Sequence, residues 1–229
     1  MEIKSSSLTA MAFVLASVGS LVSFAATAAT SIKTSLKEYS PTSSFQEVSI
    51  KADSWYNLTM GYQGWTHHSS WGFMNLKKDK PVSITVDATA VKGFHPAISV
   101  WYRPQKRGMA PSIYANAHFY NQFKDIIEPN ATFDDDKANP KAIGKLEMYL
   151  IANAYDRDGM GDTLKEAFDQ SAINKVLDGV SGKVVLTFTP KVTGMYQFVV
   201  GGINPAADID TTQADSGRYP VQVSVDFPD

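Results

Sequence analysis

The segment Gly61–Trp71, Gly-Tyr-Gln-Gly-Trp-Thr-His-His-Ser-Ser-Trp, combines aromatic and imidazole side chains in a short glycine-containing stretch. In an extended chain Trp65 and His67 project to the same side, because side chains alternate with a period of two, and His68 points to the other side. Imidazole nitrogen binds copper, zinc and nickel, and a hydrogen-bonded histidine without a metal is the competing interpretation. The spacing therefore indicates a transition-metal site but does not select the metal.

The four histidines and the absence of cysteine limit the ways in which such a site can be completed. Without cysteine there are no disulfides, thiolate nucleophiles, iron–sulfur clusters or cysteine-rich zinc sites. A second histidine to accompany His67 must be His68, His95 or His118. The predicted strand from Trp71 runs away from the Trp65 segment and the next strand returns toward it in a hairpin, which would bring His95, at the start of a strand, near that segment. His118 lies in a segment without strand alternation. The residues alone therefore do not decide between His95 and His118 as the second ligand.

A second group of metal-ligating residues is the string Asp156-Arg-Asp158-Gly-Met-Gly-Asp162. Carboxylates at the first, third and seventh positions of a glycine-containing turn are typical of calcium loops. The fifth position is Met160, which has no side-chain oxygen, and the twelfth is Ala167 in place of a bidentate acid. The pattern therefore allows two interpretations: a calcium site, or an aspartate-rich turn that precedes a helix N-terminus.

The string Gly64-Trp65-Thr66-His67, followed by an aromatic strand and a distant second histidine, resembles the MopE/CorA-type surface-associated copper(I)-binding proteins of methanotrophic bacteria. A looser similarity runs from about Tyr56 to the C-terminus. The segments that support it are Gly93–Trp101, Asn116–Gln122 and Tyr155–Asp162.

The resemblance implies a site in which one Cu(I) is held by two histidines and by kynurenine, the oxidised product of tryptophan. Carried onto this chain, it makes Trp65 the kynurenine precursor and His67 the first histidine ligand, and we take His118 as the second. The chemistry is coherent, because indole nitrogen has no available lone pair whereas the opened ring supplies an aromatic amine, a neutral donor suited to Cu(I). The implied function is copper acquisition by a secreted or cell-surface protein that is not an enzyme.

Two other functions compete with this interpretation. The first is a calcium-dependent carbohydrate-binding or adhesion β-sandwich, in which an aromatic side chain forms the sugar platform; the candidates are Trp55, Tyr62, Trp65 and Trp71. The second is a copper monooxygenase that attacks polysaccharides. Such enzymes use the mature N-terminal histidine as a ligand, whereas the mature chain predicted below begins at Ala29, so this function is disfavoured.

The segments that must position these residues are predicted to be mainly β-strands. Seven short runs rich in β-branched and aromatic residues are predicted to be strands: Phe45–Ile50, Trp71–Asn75, Val82–Asp87, Ala97–Tyr102, Lys183–Thr189, Met195–Val200 and Val221–Phe227. Turn residues at Lys77–Pro81 and Pro190–Gly194 indicate hairpin connections. Together these features predict an antiparallel β-sandwich.

A long, partly helical insertion at about 104–182 is predicted to interrupt this sandwich, because the segment is rich in Asn, Asp and Ala and lacks strand alternation. The capping-box spacing from Thr163 to Glu166 predicts a helix at about 163–171. The polar stretch Thr30–Ser44 is predicted to be a mobile N-terminal segment.

Residues 1–28 have the pattern of a secretory signal peptide, with Lys4 before an apolar run and Ala26-Thr27-Ala28 at the predicted cleavage site. Residues 29–229 are then predicted to form a single copper-binding domain without a transmembrane span. The 21 basic and 23 acidic residues, with a formal net charge of -2, leave no basic excess for nucleic acid. The expected partners are the copper ion, the outer cell surface and another surface protein.

Overall fold

The computed structural model describes residues 36–51, 54–57, 62–63, 65, 68–104, 125–133, 141–160, 174–204 and 218–228. These residues form strands and no helix. Accordingly, no helix within these ranges is long and apolar enough to cross a membrane. The mainly β class predicted from the sequence is confirmed.

All seven predicted strands are present, and six further strands occur that the sequence patterns did not indicate. In chain order the strands are β1 (Lys37–Tyr39), β2 (Phe45–Ile50), β3 (Tyr56–Asn57), β4 (Tyr62–Gln63), β5 (Ser70–Leu76), β6 (Val82–Asp87), β7 (His95–Arg103), β8 (Ile126–Phe133), β9 (Lys141–Asp156), β10 (Lys175–Val176), β11 (Lys183–Phe188), β12 (Gly194–Ile203) and β13 (Tyr219–Asp226).

The strands form two main sheets and a short ribbon. The larger sheet has the order β1-β5-β12-β7-β9-β10, with β8 also paired to β9, and the smaller sheet has the order β11-β6-β13-β2. Strands β3 and β4 pair only with each other among the described strands. The central pairs are antiparallel, whereas β1 with β5 and β10 with β9 are parallel. The sheets are therefore antiparallel except at two pairings at the edges of the larger sheet.

One hydrophobic core is shared by the two main sheets, as in a β-sandwich. In β6 the alternation is regular, because Val82, Ile84 and Val86 are buried while the residues between them are partly exposed. Val100 on β7 and Phe198 on β12 belong to the same core from the larger sheet. Alternate residues of β7 and β12 face away from this core, so the larger sheet has an outer face as well.

The two predicted hairpins are wrong, because both connections pass from one sheet to the other. Residues 77–81 lead from β5 in the larger sheet to β6 in the smaller one, and residues 189–193 lead from β11 to β12 in the reverse direction. The two connections lie side by side, since the Asp79 amide donates to the Pro190 carbonyl at 2.9 Å and the Lys78 amide donates to Thr193 Oγ1 at 3.0 Å. Turn residues indicate a change of direction but not the sheet that the chain enters next.

The predicted insertion at 104–182 is also wrong in its main feature. Strand β9 lies inside it and pairs along β7, so this segment supplies an integral strand of the larger sheet. A register shift between Val100 and Trp101 interrupts the pairing. Such an irregularity disturbs the two-residue period by which strands are identified, which accounts for the missed prediction. The predicted helix at 163–171 lies outside the described residues.

The predicted mobile segment Thr30–Ser44 contains an ordered edge strand. Strand β1 pairs in parallel with β5, and Tyr39 is 2% exposed. Its ring contacts Phe198 at a centroid distance of 5.0 Å, above Gly72, where a side chain would collide with both rings. The chain is therefore fixed to the larger sheet from Lys37 onward, and residues 1–35 lie outside the described part.

Candidate metal centre

Trp65 is buried against the outer face of the larger sheet. It lies between β4 and β5, and only 1% of it is exposed. Its indole Nε1 donates a hydrogen bond to Ser99 Oγ at 3.2 Å, and Ser99 on β7 is fully buried. The nitrogen of the predicted kynurenine precursor is thus held at a defined point over the centre of the sheet.

The close approach of Trp65 to β12 depends on Gly201. A Cβ atom at this position would lie 2.9 Å from Cζ3 of Trp65 and 2.7 Å from Oγ of Ser54. The Ser54 hydroxyl accepts a hydrogen bond from the Gly202 amide at 2.8 Å and donates to the Gly202 carbonyl at 3.1 Å. Gly201 and Gly202 therefore form the surface on which both Ser54 and Trp65 dock.

Trp65 belongs to a tryptophan cluster, which we define as Trp55, Trp65, Trp71 and Trp101, all buried on the outer face. The rings of Trp55 and Trp65 are 6.0 Å apart, and those of Trp71 and Trp101 are stacked at 5.9 Å. Trp55 also contacts Tyr155 on β9 at 5.2 Å. Because a sugar platform needs an exposed ring, the structure contradicts the expectation that Trp55, Trp65 or Trp71 serves as one. The side chain of Tyr62 is not described.

Of the four histidines, the structure describes His68 and His95. His67 and His118, the two predicted copper ligands, lie outside the described residues. His68 is partly buried, and its carbonyl accepts a hydrogen bond from the Lys51 amide at 3.2 Å. The chain is therefore fixed on both sides of His67, by the side chain of Trp65 and by the backbone of His68.

His95 is a buried residue at the start of β7 and has a carboxylate partner. It is 4% exposed, and its Nδ1 lies 3.1 Å from Oδ2 of Asp156. Ser99 lies four residues further along the same strand, which corresponds to about 13 Å at the usual rise of a β-strand. His95 lies at one end of β7, and the Trp65 nitrogen, which bonds to Ser99, lies over its middle, so the two are not adjacent.

Asp156 and Asp158, two of the predicted calcium ligands, accept hydrogen bonds from backbone amides. Asp156 accepts from the Gly182 amide at 2.6 Å and from the Asp158 amide at 2.9 Å. Oδ2 of Asp158 accepts from the amides of Asp178 and Gly179 at 2.9 and 3.0 Å. The turn after β9 is thereby tied to the connection between β10 and β11.

The remaining members of the aspartate string have separate environments. Met160, the residue without an oxygen, is 4% exposed and packs in the apolar cluster that contains the four tryptophans. Asp162 lies outside the described residues. Among the residues that are described, no group of three or more histidines and acids is close enough to hold a metal ion.

Sequence reasoning missed the residues that position Trp65, namely Ser54, Ser99 and Gly201. A signal for Ser99 was present, because it is a small polar residue in an otherwise apolar strand and shares the face of Trp101 by period two. No comparable signal marked Gly201, since its role depends on a contact between segments far apart in the sequence.

The hydrogen bond from Trp65 to Ser99 can be tested by replacing Ser99 with alanine. This change leaves a buried indole N–H without its acceptor, so we expect the free energy of unfolding to fall by about 1–3 kcal/mol. The matched control is Ser83→Ala, which removes an exposed hydroxyl that bonds to Thr187 Oγ1 at 2.7 Å. Urea denaturation of the two variants makes the comparison, and equal losses would contradict the anchoring role of Ser99.

The fold and the site define a class of protein. It has two β-sheets and a buried tryptophan beside a histidine-containing segment. Residues 27–210 match the family model described as copper(I)-binding protein CorA-like. The chain therefore belongs to the CorA-like family of copper(I)-binding proteins.

Two solved structures are similar to this chain. CorA of Methylomicrobium album BG8, described as a surface-associated copper-binding protein important in copper acquisition, is 46% identical, with a TM-score of 0.73, and the match covers 85% of this chain and 99% of CorA. Mercury-soaked MopE, a secreted protein of Methylococcus capsulatus, is 14% identical with a TM-score of 0.57 and shares the fold over 86% of this chain and 93% of MopE. No curated protein gives a significant match.

Proposed function

We propose that this protein captures copper at the outer surface of the cell and acts in copper acquisition. The observation that carries the proposal is its membership of the CorA-like family, supported by 46% identity to the surface-associated copper-binding protein CorA. The proposed role is binding and delivery of the metal rather than catalysis. Release of copper to another surface protein would complete this role.

We propose Cu(I) as the bound ion, with His67, His118 and oxidised Trp65 as its ligands. In MopE an oxidised tryptophan facilitates copper binding. Trp65 is the tryptophan of the Trp-x-His string, and its nitrogen is oriented by Ser99. Ring opening would convert this nitrogen from a hydrogen-bond donor without a lone pair into an amine that can bind a metal. Cu(I) accepts such a set of neutral nitrogen donors.

The contacts of His95 favour His118 as the second histidine ligand. His95 already bonds to the buried carboxylate of Asp156, and its strand position is about four residues from the Ser99 contact of Trp65. A copper site that used His95 would require the Trp65 nitrogen or the imidazole to move. His118 lies outside the described residues, and we retain it as the proposed ligand because the contacts of His95 count against the alternative.

The oxidation of Trp65 is the direct test of the proposed site. We expect peptides of the natively expressed, copper-loaded protein to show a mass gain of about 4 Da on Trp65, because only the opened ring exposes an amine lone pair. Trp55 is the internal control, since it is equally buried in the tryptophan cluster and should keep its mass. Full copper occupancy with an unmodified Trp65 would exclude this ligand set.

We also propose a structural calcium ion at Asp156, Asp158 and Asp162. The observation in favour is that the first two carboxylates meet at one turn, where they bind amides of residues 178–182. The alternative is a turn held by these hydrogen bonds alone. A carbohydrate-binding function has less support, because three of its four candidate platform rings are buried.

For the location of the protein, we propose export through a signal peptide at residues 1–28, followed by a single mature domain at 29–229. The family match begins at residue 27, beside the predicted cleavage site after Ala28. The relatives support this location, since CorA is surface-associated and MopE is secreted. Mass analysis of the N-terminus of protein recovered from intact cells tests the cleavage.

A further inference from the structure

A buried guanidinium lies on the outer face of the larger sheet, at the end of β7 opposite to His95. Arg103 is 1% exposed, and its Nη1 donates to Oε1 of the fully buried Gln197 at 2.9 Å. Within the described part of the chain, no partner is found for Nε and Nη2 of Arg103 or for Nε2 of Gln197. The charged group therefore has one satisfied nitrogen and two unsatisfied ones.

The described residues around Arg103 do not compensate its charge. Its register partner on β12 is Met195, and Gln197 is paired with Trp101 and Phe73. No ion pair of Arg103 occurs among the residues that the structure describes. Burial lowers the pKa of Arg103 to about 10, which still leaves the guanidinium protonated at neutral pH. An enclosed charge without acceptors is strongly unfavourable, so an acceptor is expected at this position.

The two unsatisfied atoms define the shape of that acceptor. The Nε–H and Nη2–H groups point along one edge of the planar guanidinium, and parallel donors of this kind match the two oxygens of a carboxylate. The hydrogen bond from Nη1 to Gln197 fixes the plane, and the buried Nε–Nη2 edge has no acceptor among the described residues. We propose that Arg103 binds a small planar oxyanion of the carboxylate type along its Nε–Nη2 edge, at a site separate from the copper site.

The proposal predicts stabilisation of the protein by formate, the smallest carboxylate. The protein is dialysed into sodium chloride, whose single spherical anion cannot match two parallel donors as a carboxylate does, and chloride is then replaced by formate at constant ionic strength. A ligand that binds only the folded state raises Tm by a constant step per tenfold concentration, roughly 4 °C for a chain of this size. Arg103→Met should remove the formate dependence, whereas Arg218→Met, which removes an exposed arginine bonded to the Ser49 carbonyl, should keep it.

A second variant, Gln197→Glu, keeps the proposal testable if Arg103→Met does not fold. The new carboxylate would replace the amide that already contacts Nη1 and would supply the missing negative charge inside the protein. We expect Gln197→Glu to raise Tm in chloride and to weaken formate binding at least tenfold, as measured by isothermal titration. The proposal is overturned if formate leaves the wild-type Tm unchanged. That result is expected if a carboxylate of the chain already occupies the Nε–Nη2 edge of Arg103. It is also overturned if Arg103→Met and Gln197→Glu respond to formate as the wild type does.

Discussion

We expect replacement of His67 by alanine to abolish tight copper binding, and the same change at the adjacent His68 to leave copper bound. The reason is that two remaining neutral nitrogen donors cannot hold Cu(I) against a competing chelator, and even the loss of a group behind a ligand typically weakens metal binding about 10–100-fold. His68 is a matched control, because its contact with Lys51 is made by the backbone carbonyl and survives the substitution. Copper per chain is measured after competition with a Cu(I) chelator, with circular dichroism as the test of folding.

The same assay separates the two candidates for the second histidine. We expect His118→Ala to lose copper, and His95→Ala to keep copper but to be less stable, because it leaves the buried Asp156 without its imidazole partner. Copper loss by His95→Ala together with retention by His118→Ala would reverse the assignment. If none of the histidine variants loses copper, the ligand set implied by the family does not apply to this chain.

Much of the sandwich was predictable because its strands obey the period-two rule. Strand β6 alternates buried and partly exposed residues along Val82–Asp87, and its bounds agree with the prediction. Strand β9 was missed because its pairing with β7 is irregular at Val100 and because it lies in a segment with helix-like composition. A local pattern detects a regular strand, whereas a strand with an irregular register is defined by its neighbours.

The sheet that follows each connection could not be predicted from turn residues. Lys77–Pro81 has the composition of a hairpin, yet it crosses to the other sheet and hydrogen-bonds to the neighbouring crossing at Pro190. The predicted hairpin does not exist, yet His95 lies at the end of the larger sheet where β5 begins, as that hairpin predicted. That end is set by β12, which is antiparallel to both β5 and β7.

The part of the candidate site that could be predicted consists of residues that lie close together in the sequence. The Trp-x-His string predicts Trp65 as a ligand precursor, which stays a prediction, and family membership supports copper as the metal. The positioning of Trp65 was not predictable, because Ser99 and Gly201 come from two other strands. Residues that orient a ligand are identified by contacts between distant segments, and such contacts leave no regular spacing in the sequence.

Replacement of Asp156 by asparagine is expected to cause the largest loss of stability among the changes considered. The carboxylate is fully buried and interacts with the Gly182 amide, the Asp158 amide and Nδ1 of His95. Asparagine keeps the shape but places an amide N–H₂ where one carboxylate oxygen accepted hydrogen bonds. Each buried hydrogen-bond partner left unsatisfied costs about 1–3 kcal/mol, and two partners contact Oδ2, so we expect a loss of about 2–6 kcal/mol and a fall in Tm of roughly 4–24 °C. Asp178→Asn is the control, because Asp178 is exposed and its Oδ1 accepts from the Val180 amide.

Calcium removal distinguishes the two origins of this stabilisation. If Asp156, Asp158 and Asp162 hold calcium, excess EGTA lowers the Tm of the wild type, because an ion that binds only the folded state stabilises it. EGTA should then have no effect on Asp162→Asn, which removes the third proposed calcium ligand. A wild-type Tm that is unchanged in EGTA, with Asp156→Asn still strongly destabilised, would contradict the calcium proposal. In that case the carboxylate of Asp156 would stabilise the protein by holding the end of β9 to Gly182 and His95 without a metal.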